Sequence, residues 1–142
     1  PQGEKTPNIV QLYSPLSDNA KTLPKRVNIT CGQVGRTLHI LGAVASWGYP
    51  ATPRGTVSMK VRLVYDAGEP AEFDLLNGIH VADSWNKPEV AGSTKAFDLG
   101  NSQVRYLSLP LRADAGLKRI ELLKGDDETA PIVFAISIEL PE

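Results

Sequence analysis

The chain has 142 residues, 42% of them hydrophobic and 22% charged, the proportions of one ordinary globular domain with a sizeable core. Fifteen basic against 16 acidic side chains give a formal charge of -1, so the sequence carries no electrostatic footprint for nucleic acid or an anionic membrane. No apolar run approaches the roughly 20 residues of a membrane-crossing helix, and the single cysteine, Cys31, excludes an intrachain disulfide and a cysteine-based metal cluster. The opening Pro1-Gln2-Gly3-Glu4, with no basic segment followed by an apolar one, reads as a mature or excised piece, a single domain over 1–142 cut from a larger protein.

Residues 1–8 are polar and carry Pro1, Gly3 and Pro7, and a short first strand is expected over 9–13, stopped by Pro15. After the loop around Asp18 and Asn19, residues 26–31 alternate, with Val27, Ile29 and Cys31 on one side and Arg26, Asn28 and Thr30 on the other. This phase makes Cys31 a buried, inert thiol. The apolar run 37–45 suits a strand covered on both faces and ends in the aromatic loop Ser46-Trp47-Gly48-Tyr49-Pro50. A hairpin comes next: 57–65 alternates through Val57, Met59, Val61, Leu63 and Tyr65, the run 66–70 supplies turn residues, and Ala71, Phe73 and Leu75 resume the alternation. Asn77-Gly78 then turns the chain into Ile79-His80-Val81-Ala82-Asp83-Ser84-Trp85, where imidazole, carboxylate, hydroxyl and indole fall within a few residues.

Residues 86–94, with Pro88, Gly92 and Ser93, form a long surface connection. Strands are expected at 95–99, 103–109 and 117–123, with a helix over 113–123 as an alternative that Gly116 weakens. In the last strand Ile132, Phe134, Ile136, Ile138 and Leu140 are expected to face inward. Nine or ten short strands punctuated by Gly and Pro indicate an all-β sandwich or barrel, with Met59, Val61, Leu63, Phe73, Ile120, Phe134 and Ile136 in one core.

Catalytic patterns are absent. Of the two histidines, His39 lies within a strand and reads as a core or sheet-face imidazole, and His80 near Asp83 lacks a poised nucleophile such as a G-x-S-x-G elbow. Neither a phosphate-binding glycine loop nor zinc-ligand spacing occurs. Tyr65, Phe73 and Phe134 sit on apolar strand faces, whereas Trp47, Tyr49 and Trp85 fall in loops. A loop-borne aromatic ring can stack on the apolar face of a sugar while Arg54, Asn77, His80 and Asp83 bond its hydroxyls. Equally, Trp47 and Trp85 can cap the ends of the sandwich.

The succession YDAGEPAEFDLLNGIHVADSW, KAFDLGNSQVRYLSLPL and LKRIELLKGDDETAPIVFAISIEL, together with LHILGAVASWGYP, resembles the galactose-binding-like domains, in particular modules of large secreted planctomycete-type proteins. The resemblance implies an antiparallel two-sheet jelly roll and a non-catalytic module that holds an attached enzyme or assembly on a polysaccharide or oligosaccharide outside the cytoplasm. A structural or protein-interaction module, docked on other domains of its parent, is the alternative. The resemblance places no binding motif on particular residues. It also implies a structural calcium, for which Asp126, Asp127 and Glu128, or Asp18 with Asn19, are the candidates, although neither run has EF-hand spacing. No other cofactor is expected.

Overall fold

The alternating segments resolve into nine strands in the computed structural model, which describes residues 8–142. In chain order these are β1 (Val10–Gln11), β2 (Arg26–Gln33), β3 (Thr37–Ser46), β4 (Val57–Tyr65), β5 (Ala71–Leu76), β6 (Thr94–Leu99), β7 (Ser102–Pro110), β8 (Leu117–Lys124) and β9 (Ala130–Glu139). All named strand pairs are antiparallel, and they form a five-stranded sheet, β1-β9-β3-β7-β6, and a four-stranded sheet, β2-β8-β4-β5. The chain is an all-β sandwich. No helix occurs among the described residues, and residues 117–124 form β8 rather than the alternative helix because Ile120 and Leu122 point into the core while Arg119 and Glu121 point out.

Between the sheets lie Leu38, Ile40, Met59, Val61, Leu63, Tyr65, Leu107, Leu109, Leu117, Ile120 and Leu122, with Phe73 and Ile136 packed partly against them. The period-2 phase therefore places most of the expected core. It fails in β9, where Phe134 is half-exposed and stands outside the core cluster, and Leu140 is exposed. The cause is a register shift between β3 and β9: Leu41 pairs with Ala135 but Gly42 pairs with Val133, so Phe134 has no partner and the inward phase changes there. Val133 is buried on one side of this bulge, and Ile136 and Ile138 reach the core on the other.

Three smaller expectations are also corrected. The first strand has only two residues, because it pairs with β9 solely through Val10 and Gln11. In β3, His39 and Leu41 are only half-buried, so coverage on both faces is confined to the Gly42 to Val44 part. Cys31 is half-buried because β2 is an edge strand, and burial pushes its thiol above the ordinary cysteine value, which leaves it a poor nucleophile.

The β4–β5 and β6–β7 connections are hairpins within one sheet, and every other connection crosses to the opposite sheet. Short turns at 34–36, 66–70 and 111–116 close one end of the sandwich. The longer connections 12–25, 47–56 and 77–93 gather at the other, together with the five-residue turn 125–129.

Candidate functional site

The longest connection, 77–93, begins where β5 ends and is stitched into the five-stranded sheet. Beyond the Gly42–Arg105 pair, β3 and β7 separate, and the segment 82–84 inserts between them. Val44 N donates to Ala82 O at 2.9 Å, Ser84 N to Val44 O at 2.9 Å, and Gln103 N to Ser84 O at 2.8 Å. The loop thus obtains sheet-like backbone bonding, which fixes the position of the turn at Trp85.

Asp83 lies in this insert and is buried. Its Oδ1 accepts from Trp85 N at 2.9 Å and Asn86 N at 2.8 Å, and its Oδ2 accepts from Gly48 N at 3.1 Å. One carboxylate therefore holds both aromatic loops: the turn that carries Trp85 and the residue after Trp47. Gly48 permits the approach, since a Cβ there would stand 2.8 Å from Asp83 Cα. Trp47 itself has φ 62°, a left-handed conformation that is costly for a bulky side chain and that this clamp maintains.

Asn77 plays the same part for the rest of the 47–56 loop. It is fully buried; its Oδ1 accepts from Tyr49 N at 2.8 Å, and its Nδ2 donates to Thr52 O at 3.0 Å and Pro53 O at 3.2 Å. The hydrogen-bonding groups of Asn77 and Asp83 thus point into the protein, holding backbone, and do not face solvent as hydroxyl partners would.

Arg105, 1% exposed, braces the other wall. Its Nε donates to Ser93 Oγ at 2.8 Å, its Nη2 to Ser93 O at 2.6 Å and Val90 O at 3.2 Å, and its Nη1 to Gln103 Oε1 at 3.2 Å. Gln103 in turn donates through Nε2 to Asp83 O at 2.9 Å and Pro88 O at 3.3 Å. Among the described residues the only carboxylate paired with the guanidinium is that of Glu89, 3.4 Å away and largely in solvent. Neither Arg105, Gln103 nor Glu89 stands out as a site residue in the sequence. A signal was nevertheless present: Gln103 and Arg105 share the strand face of Leu107 and Leu109, so two strongly polar side chains occupy core phase.

Over these struts lies a cleft of 280 Å³ lined by Tyr49, Arg54, Gly78, Glu89, Val90 and Ala91. Gly78, at φ 73°, is its floor: a Cβ there would stand 3.0 Å from both Arg54 Cγ and Tyr49 Cγ, so the glycine is needed for both reasons. Trp47 and Trp85 stand outside the cleft, 45% and 65% exposed, and neither indole caps the core. His80 is turned elsewhere. Its Nδ1 accepts from Leu76 N at 3.0 Å, and its ring lines a separate 360 Å³ cleft with Glu72, Asp74 and Ser108 between β5 and β7. Of the seven residues expected at a sugar site, the structure therefore brings Tyr49 and Arg54 to one cleft, places Asn77 and Asp83 beneath the loops, leaves Trp47 and Trp85 projecting, and separates His80.

His39 is a sheet-face imidazole, with Nδ1 2.8 Å from Tyr106 Oη and the two rings stacked at 5.8 Å. The calcium candidates part company. Asp126 and Glu128 are exposed, as are Asp18, which pairs with Lys21, and Asn19. The buried carboxylate of Asp127 holds the Lys124 ammonium at 2.8 Å, and that ammonium also donates to the carbonyls of Ser58, Gly125 and Asp127. A lysine cation thus fills the oxygen cage that the 124–129 turn makes, and no cluster of three or more His, Cys, Asp or Glu with metal-ligand geometry occurs among the described residues.

Comparisons with protein-family models, curated proteins and solved structures give no match to this chain.

Proposed function

We propose that the domain is a non-catalytic carbohydrate-binding module of the galactose-binding-like jelly-roll type, acting outside the cytoplasm to keep an attached enzyme or assembly on a polysaccharide. The observation that carries this reading is the exposure of Trp85 on a turn made rigid from below by Asp83, with exposed Trp47 held by the same carboxylate. Exposed aromatic rings on fixed backbone are what stacking on a sugar face requires, because ordering them on binding costs little entropy. The eight longer strands, four to a sheet, fit the double-sheet layout of a jelly roll.

The chemistry of the loops supports a reading of binding without turnover. The buried carboxylate of Asp83 is spent on three amides, and although Ser108 shares a cleft with His80, no hydrogen bond joins the two among the described residues. Isothermal titration against the best ligand from a glycan array is expected to give a Kd between micromolar and millimolar, about 4 to 8 kcal/mol. Trp85→Ala is expected to remove most of that binding with an unchanged melting midpoint. Unaltered binding by this variant would refute the stacking role.

The second reading, a protein-interaction module, is favoured by one feature. Edge strand β6 is exposed throughout and shows Phe97 and Leu99 to solvent, and the Lys87–Asp98 pair at 3.3 Å ties it to the Trp85 turn. A domain that binds no glycan but is retained by its parent protein through β6 would put this reading in place of the first.

A further inference from the structure

The cleft beside the indoles has a composition that the general reading does not use. Arg54, on its rim, makes no hydrogen bond or ion pair with the described residues, so its guanidinium donors are free. On the same cleft, the Glu89 carboxylate meets the Arg105 guanidinium at 3.4 Å and no other partner among the described residues, and its side chain is 76% exposed, which leaves acceptor positions open. Half-buried Tyr49 lines the same cleft. Buried Asn77 fixes the Tyr49 wall, and buried Arg105 fixes the Val90 wall by donating to backbone carbonyls. Burying such groups is costly unless they are fully bonded, and here their bonds go to the two loops that border this one cleft.

From this we infer that the Tyr49–Arg54–Glu89 cleft binds a single neutral sugar ring through a pair of adjacent hydroxyls, Glu89 accepting from them and Arg54 donating to them. The inference rests on the carbohydrate reading above and moves the centre of the site from the indoles to this cleft. Three features select the ligand class. A hydroxyl both donates and accepts, and a vicinal pair can answer an acceptor and a donor together, which a cleft lined by one carboxylate and one guanidinium offers. An acidic sugar able to reach Arg54 would set its own charge beside Glu89, which opposes it. The volume, 280 Å³, lies just below the roughly 300 to 1,000 Å³ of clefts that take drug-sized ligands, so it suits one ring, with Trp47 and Trp85 left to contact neighbouring units of a polymer.

The test is titration of the intact domain with methyl glycosides of galactose, glucose and mannose, their deoxy analogues that lack one hydroxyl of a vicinal pair, and galacturonate, each at low and high salt. Wild type is expected to bind a neutral glycoside with a Kd insensitive to salt, and to lose affinity when one of the paired hydroxyls is missing. Arg54→Gln and Glu89→Gln are each expected to weaken binding about tenfold or more, as loss of a charge-assisted bond does. Arg54 has no partner to lose among the described residues, so Arg54→Gln is expected to keep its melting midpoint and decides the question even if Glu89→Gln loosens Arg105. If both variants bind like wild type while Trp85→Ala does not, the cleft assignment fails and the carbohydrate reading stands. Salt-sensitive binding of galacturonate that Glu89→Gln strengthens would overturn the neutral class. Absence of binding to any glycoside or glycan-array member would remove both the inference and the reading it rests on.

Discussion

The two ends of the sandwich solve the same problem, reversing the chain between sheets, by different means. At the short-turn end the polar contacts are at the surface: Asp66 Oδ1 accepts from Gly116 N at 3.0 Å, and Arg112 bonds Asp114 and the Ala67 carbonyl. At the long-loop end they are internal. Ser14, Ser17, Thr52, Ser58, Asn77, Asp83, Ser84, Ser93, Gln103, Arg105 and Thr129 are all buried there, as are the charged ends of Lys124 and Asp127, and Glu121 is a further buried polar residue among those described. A turn of three to six residues holds its shape through its own backbone and needs little else. A loop of 17 residues, 77–93, has backbone groups that no ladder satisfies, and buried side chains must satisfy them instead. Internal bracing of that extent makes the long-loop end a rigid platform.

This contrast can be broken at its strongest point first. Lys124→Met leaves the Asp127 carboxylate buried without its cation, and a loss of roughly 3 to 5 kcal/mol is expected in a urea melt. A loss below about 1 kcal/mol would mean that the ammonium is not an internal strut. Asn77→Ala removes three bonds to the 47–56 loop and is expected to cost about 2 kcal/mol, with faster amide exchange at Tyr49.

Glu121 sharpens the comparison because it is a buried charge held by side chains and not by loops. Burial opposes its ionisation, yet Arg119 at 2.7 Å and Arg26 at 2.8 Å hold its carboxyl below the usual glutamate range. A carboxyl with a lowered folded-state pKa contributes stability above its unfolded value, about 4.3, and that contribution is lost as pH falls through the lower folded-state value. The gap in melting midpoint between wild type and Glu121→Gln should therefore shrink as pH drops below about 4.3. A gap that widens with acid would contradict the arrangement. The smallest effect is expected at the short-turn end, where Arg112→Ala should leave the midpoint within error, because its pair with Asp114 is exposed and screened.

Much of the fold could be read from residue order. The hairpin of β4 and β5 follows from alternation around a turn run, and its register, Val61 opposite Phe73 and Leu63 opposite Ala71, keeps apolar side chains on one face. Phe134 shows where that reading ends. Its alternation with Ile132 and Ile136 is regular in sequence, and only pairing with β3 introduces the bulge that turns it out. The site divides in the same way. Trp47, Tyr49 and Trp85 were legible as loop residues because strands end before them, but Asn77 and Asp83 look like solvent-facing polar groups until the amides of Gly48 and Tyr49 are brought to them from about 30 positions away.

What the sequence determined by itself, then, is local: period-2 patterning, turn chemistry, the phase of most core residues and the absence of catalytic motifs, all of which depend on neighbours along the chain. Tertiary structure decided which polar residues brace the loops and which stay exposed. Arg105 became a buried brace because β7 carries it under the 88–93 loop, and Glu89 and Arg54 come to line one cleft because the 47–56 and 77–93 loops meet there. Burial and bonding of this kind depend on the direction and desolvation of a side chain after distant segments have packed, and a one-dimensional pattern contains neither quantity.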